Sequence, residues 1–152
     1  MRSFKLKIYK LKQDVNNFQS YGYMNDDDED LTTKVNFGDT VDSWRRINIR
    51  PDEYHIFPES GDYPCLLSTP LLSERAKNVF TDKLKNVDFQ FLDVMETRSQ
   101  KVFYFMNVLT KIAALDRKKT VFEHYQNDLL GVEKHHFKTD IAYPPLFRCY
   151  LD

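Results

Sequence analysis

His135-His136, followed by Asp140 and Cys149, is the set of side chains in this sequence best suited to holding a metal ion. Imidazole, carboxylate and thiolate are the usual zinc ligands. Neighbouring residues on an extended chain point to opposite faces, so the two histidines would not readily share one ion. An exposed histidine pair is the plainer reading. Asp26, Asp28 and Asp30 alternate as they would in a calcium loop, but Leu31 and Phe37 stand where that loop needs Gly and Glu. No metal is expected.

Acid–base chemistry needs paired carboxylates. Glu53, Glu59, Asp62, Glu74 and Asp93 could supply them, yet any chain with 23 acidic residues offers such pairs. Cys65 or Cys149 beside a histidine could make a nucleophile pair, although no local sequence supports it and a buried structural cysteine is commoner. The 4 glycines are dispersed, which excludes a phosphate-cradling loop and a dinucleotide fingerprint. There is no G-x-S-x-G elbow and no CxxC pair. The expectation is a protein without catalytic residues or cofactor. A small hydrolase of unrecognised type is the alternative, and it would need a pocket where carboxylates or histidines converge.

Two groups suit binding instead. The run Asp26, Asp27, Asp28, Glu29, Asp30 could dock a basic partner and speed the encounter. Adjacent like charges repel, so a solvated loop is the simplest form for it. Trp44, with Arg45 and Arg46, has the composition of a contact hot spot. Packing of Trp44 in the core with both arginines solvated is the simpler account.

The elements that must carry these groups can be read from periodicity. Phe4, Leu6 and Ile8 alternate with lysines as in a half-buried strand. Residues 13–22 are polar, with Gly22 as a turn former, and Gly38-Asp39-Thr40 marks another turn. Ile47 and Ile49 alternate with polar neighbours, and residues 65–67 form a short apolar run. Pro70 precedes a helix over 73–84, with Ser73 as N-cap and Ala76, Val79, Phe80 and Leu84 as its buried stripe. Residues 87–92 and 102–106 make an antiparallel hairpin around a polar turn at 96–101. Residues 107–115 read as a strand end or a helical turn, and 121–125 with 129–132 as further strand or a loop–strand pair. The sum is one α+β domain over 1–152, a mainly antiparallel sheet packed by one or a few helices.

Composition agrees with a buried core. Aromatics are 14% of the chain, with 12 Phe and 9 Tyr, and hydrophobic residues 41%. Charged residues reach 30%, yet the net charge is only −1, which argues against a dedicated nucleic-acid binder and against disorder. Two cysteines are too few for a disulfide scaffold, and reduced thiols in the cytoplasm are the expectation. Lys5, Lys7, Lys10 and Lys12 interrupt any apolar leader segment, and the run 102–109 is too short to span a bilayer. No membrane partner is expected.

From about Trp44 onward the sequence resembles a family of immunity proteins paired with bacterial polymorphic toxins, the eleventh such family, first described as a domain of unknown function. Asp62-Tyr63-Pro64 leading through Leu66 to Pro70-Leu71-Leu72-Ser73-Glu74-Arg75-Ala76 is similar to the family's helix start. Val87-Asp88-Phe89-Gln90-Phe91-Leu92 is like its strand into a hairpin. Tyr104-Phe105-Met106-Asn107-Val108, followed by Ala114-Leu115-Asp116, resembles its Tyr/Val-x-Asn-Val…Leu-Asp pattern. Thr120 stands where the family often has serine. The family usually continues with another Ser-led helix where this sequence ends at Asp152, so a truncated or divergent member is expected. The resemblance implies a protein that binds a cognate toxin and blocks it without catalysis. The acidic run 26–30 and the segment Trp44, Arg45, Arg46 are the expected contacts. An adaptor module with some other partner is the competing reading.

Overall fold

The computed structural model describes residues 7–14, 16–25, 27–53, 57, 59–66, 69–125 and 128–149, with backbone alone for Cys65 and 128–130. Six strands form the main sheet: β1 (Ser20–Tyr23), β2 (Ile47–Pro51), β3 (Cys65–Leu66), β4 (Thr69–Leu72), β5 (Phe89–Glu96) and β6 (Val102–Val108). They pair in the order β1-β2-β5-β6-β4-β3, and β3 returns to β1, closing the sheet into a small barrel. Pairings β2–β5 and β1–β3 are parallel and the others antiparallel. The α+β class and the mainly antiparallel sheet are as the sequence predicts.

Period-two alternation explains the barrel interior. Ile47 and Ile49, Leu92 and Val94, Phe103 and Phe105, and Leu71 turn into one buried cluster with Tyr21, Val35 and Leu66. Their neighbours Leu72, Met106 and Val108 face outward into a second cluster covered by Ala76, Phe80, Phe91 and Leu146. β6 is therefore buried on both faces over Phe105–Val108, which is why its sequence runs apolar instead of alternating. The β5–β6 hairpin keeps register from Phe89↔Val108 to Met95↔Val102. Its turn is closed by the buried Glu96 carboxylate, which accepts from the backbone N–H groups of Arg98 (2.7 Å) and Ser99 (2.8 Å) and from the Ser99 hydroxyl. Burial opposes ionisation of Glu96, but these three donors outweigh it and hold the carboxyl below its usual range.

Of the solvated loop expected at 26–30, residues 27–30 are instead the first turn of helix α1 (Asp27–Phe37). Four carboxylates there complement the positive end of the helix. Asp28, Thr32 and Val35, spaced i, i+4, i+7, form its buried face. The helix ends in a Schellman arrangement: Gly38 N–H donates to Val35 O and Asp39 N–H to Lys34 O, with Gly38 at φ 67°. Gly22, expected in a turn, lies inside β1. The strand expected through Phe4, Leu6 and Ile8 falls mostly on residues outside those described, and Ile8 itself sits in irregular chain.

Helix α2 (Glu74–Lys83) begins where its cap places it: Ser73 Oγ accepts from Ala76 N at 3.1 Å. Pro70, expected just before the helix, belongs to β4. The stripe is shallower than expected: Val79 is 55% exposed, while Ala76 and Phe80 lean on the outer cluster. Asp62 holds the helix start, accepting from Ser73 Oγ at 2.6 Å and from the Arg75 guanidinium. Hydrogen bonds from Arg75, then from Ser73, keep its carboxyl below the usual range. A depressed carboxylate adds stability above its unfolded pKa and loses it as pH falls through the lower, folded one. Asp62→Asn should therefore lower the melting temperature near neutrality and reduce its fall between about pH 5 and pH 2. Melting curves across that range check this. An unchanged acid slope would exclude Asp62 as a contributor.

The rest of the chain lies outside the barrel. The ambiguous stretch 107–115 holds the end of β6, then the short β7 (Lys111–Ile112) and an isolated bridge at Leu115, joined by irregular chain. β8 (Val121–Tyr125) and β9 (Asp128–Lys134) form an antiparallel hairpin with two register shifts, and β10 (Arg148–Cys149) runs parallel to β7. Thr120 Oγ1 bonds with both the N–H and the C=O of His136, fastening the base of that hairpin. Among the described residues no helix is long and apolar enough to cross a membrane.

Candidate functional site

The folded chain brings the two binding candidates of the sequence together. Asp28 is fully buried in α1, and its Oδ1 lies 2.7 Å from Arg45 Nη2, whose side chain is 55% exposed. That contact is an ion pair without hydrogen-bond alignment. Asp28 Oδ2 accepts from Asn25 Nδ2 at 3.2 Å. Arg46 pairs with Asp93. Trp44 meets Phe105 edge-on, ring centroids 5.8 Å apart, and its Nε1 donates to Asp93 O at 2.9 Å. Asp28, Trp44, Arg45 and Arg46 thus hold α1 and the 44–46 segment against the barrel. Asp27, Glu29 and Asp30 are exposed, and among the described residues no ion pair engages them. Asp26 lies outside the described residues.

α1 is anchored from its other end by Arg148, which the sequence did not single out. Its Nε donates to Val108 O (2.9 Å), Nη1 to Asn36 O (2.8 Å) and Nη2 to Val35 O (2.6 Å). The last carbonyls of a helix have no intrahelical donors, and a guanidinium fork can serve several at once. Burial pushes the Arg148 pKa down. Gly38 leaves the room: a Cβ there would stand 2.6 Å from Arg148 Cδ and 2.7 Å from Val108 O.

Beside Arg148 opens a groove of about 790 Å³ between residues 7–11, the outer face of β6 and the segment 143–149. One wall is a continuous series of rings. His135 stacks on Phe137 (6.1 Å, 15°), Phe137 meets Tyr143 edge-on (6.3 Å), and Tyr143 tilts against Phe147 (5.4 Å). Tyr143 is fixed by its hydroxyl, which donates toward Lys138 O at 2.7 Å. Met106 and Val108 also line the groove. No periodicity announces this site, because its walls come from residues 7–11, residues 135–149 and a central strand.

Of the metal and acid–base candidates, two reach it. His135 and Cys149 line the groove, whereas His136 is tied through its backbone to Thr120 and Asp116. Among the described residues no three His, Cys, Asp or Glu side chains are grouped to hold a metal. Asp62 and Asp93 are engaged by Arg75 and Arg46, and Glu53 lies 4.0 Å from Arg98. Compared with family models, curated proteins and solved structures, the chain matches none.

Proposed function

We propose that this chain is an immunity-type binding protein that acts in the cytoplasm, forming a complex with a cognate bacterial toxin and blocking it without catalysis. The observation that supports the reading most is the exposed acidic edge of α1. Asp27, Glu29 and Asp30 project from a helix held in place by Asp28–Arg45 at one end and Arg148 at the other. Charges on a rigid support attract a basic partner without ordering a loop on contact. A nuclease-like toxin has the complementary charge. The resemblance of residues 44–152 to immunity proteins points the same way.

Co-expression with the product of the adjacent upstream gene tests the proposal. Restored cell survival together with co-purification is the expected result. A toxic neighbour that is neither rescued nor bound would overturn it, and a bound but harmless neighbour would favour the adaptor reading. In the complex, Asp27→Lys/Glu29→Lys/Asp30→Lys should slow association by about tenfold at low salt. The difference should shrink at physiological ionic strength, where screening acts over about 8 Å. Stopped-flow association rates read this directly, and unchanged rates would remove the α1 edge from the interface.

A further inference from the structure

We propose that the ring-walled groove binds a small aromatic anion, a function separate from the toxin-binding reading. Its volume of about 790 Å³ falls within the range of ligand clefts, about 300–1,000 Å³. Its wall and floor are apolar: Phe137, Tyr143 and Phe147 on one side, Met106 beneath. Rings that already meet edge-on and tilted present both faces and edges, and an aromatic guest extends that packing.

Charge selects the sign of the guest. The ionisable groups lining the groove include Lys7, Lys10, His135 and Arg148, and no described carboxylate lines it. Arg148 commits three of its five N–H donors to carbonyls, so it contributes positive potential more than direct contact. Lys7 and Lys10 are exposed, and their long stems can follow the apolar wall while the ammonium stays at the rim. Asp39, paired with Lys111, and Asp140 act on Arg148 and Tyr143 from outside the lining, which leaves the positive charge of the rim to Lys7 and Lys10. An aromatic ring with one carboxylate or sulfonate satisfies both features of the groove.

Calorimetric titration of the full chain with 2-naphthoate, and with 2-naphthylmethylammonium as its oppositely charged counterpart, tests this. Amide chemical shifts locate each probe. The anion should bind about tenfold more tightly than the cation, since two exposed lysines each add a few-fold. Its shifts should centre on residues 106–108 and 135–149. Lys7→Glu/Lys10→Glu should abolish or reverse the preference, and Phe147→Ala should weaken both probes. Because a variant can be misfolded, a salt series on the unaltered chain gives an independent reading: the preference should fall as ionic strength rises. Equal affinities, a salt-independent preference, shifts centred elsewhere, or no saturable binding would each overturn the proposal.

Discussion

Arg148→Ala is expected to lower the unfolding free energy by about 3 kcal/mol, from three carbonyls each losing a charged donor at about 1–3 kcal/mol and partly regaining water. The carbonyls are those of Val35, Asn36 and Val108, so one side chain joins the end of α1 to the end of β6. Arg148→Lys should recover less than half of the loss, because an ammonium cannot span three acceptors held by a fork. Gly38→Ala should cost about 2 kcal/mol or more, from a positive φ that suits glycine and from overpacking. The two changes should not add. With Arg148 shortened, two of the three close contacts at Gly38 disappear and only Val108 O remains, so Gly38→Ala costs less in that background. Urea unfolding followed by the fluorescence of Trp44, the single tryptophan, measures all four corners of the cycle. A loss under about 1 kcal/mol for Arg148→Ala would mean that water replaces the guanidinium and that α1 is held mainly by its buried face.

Phe105→Ala should be among the most damaging core changes, at about 3–5 kcal/mol. Phe105 is fully buried at the centre of β6, paired with Leu71 of β4 on one side and Leu92 of β5 on the other. Alanine there leaves a cavity that two flanking strands in fixed register cannot collapse to fill. The effect reaches the candidate site. Trp44 rests edge-on against Phe105, and Arg45 follows directly with its contact to Asp28. Losing the ring should shift Trp44 emission to longer wavelength in the folded state and loosen the Asp28–Arg45 ion pair. Phe105→Leu, closer in volume, should cost under about 1.5 kcal/mol and leave the emission nearly unchanged. If alanine and leucine proved equally mild, the barrel interior would have to be plastic rather than close-packed.

Local signals carried much of the fold into the sequence. Ser73 caps α2 because a hydroxyl three residues before a free amide is sufficient, whatever lies around it. Ile47 and Ile49 face inward because alternation alone puts them on one face. The β5–β6 hairpin followed from two apolar segments and a polar turn. Where the reading failed, distant groups decided the outcome. Asp28 stands in a run that looks solvated, and Arg45, brought over by Trp44 on Phe105, joins the neighbouring Asn25 amide in making its burial tolerable. Val79 fits the helical stripe by spacing, but α2 lies shallowly on the barrel and leaves it in water. Pro70 reads as a helix lead-in, yet it lies in β4, opposite Cys65 of β3.

The sequence by itself determined the class of fold, the start of α2, the central hairpin and the presence of an exposed acidic edge, since each depends on residues a few positions apart. The tertiary structure decided that residues 27–30 of the acidic run begin a helix, that Arg148 anchors its far end, and that residues 7–11 and 143–149 meet to wall an aromatic groove. The reason is physical. Caps and alternation act over a turn or a strand and leave a periodic trace. Charge burial, carbonyl capping from a distant residue and groove formation depend on which segments the closed barrel sets side by side, and no period in the chain encodes that.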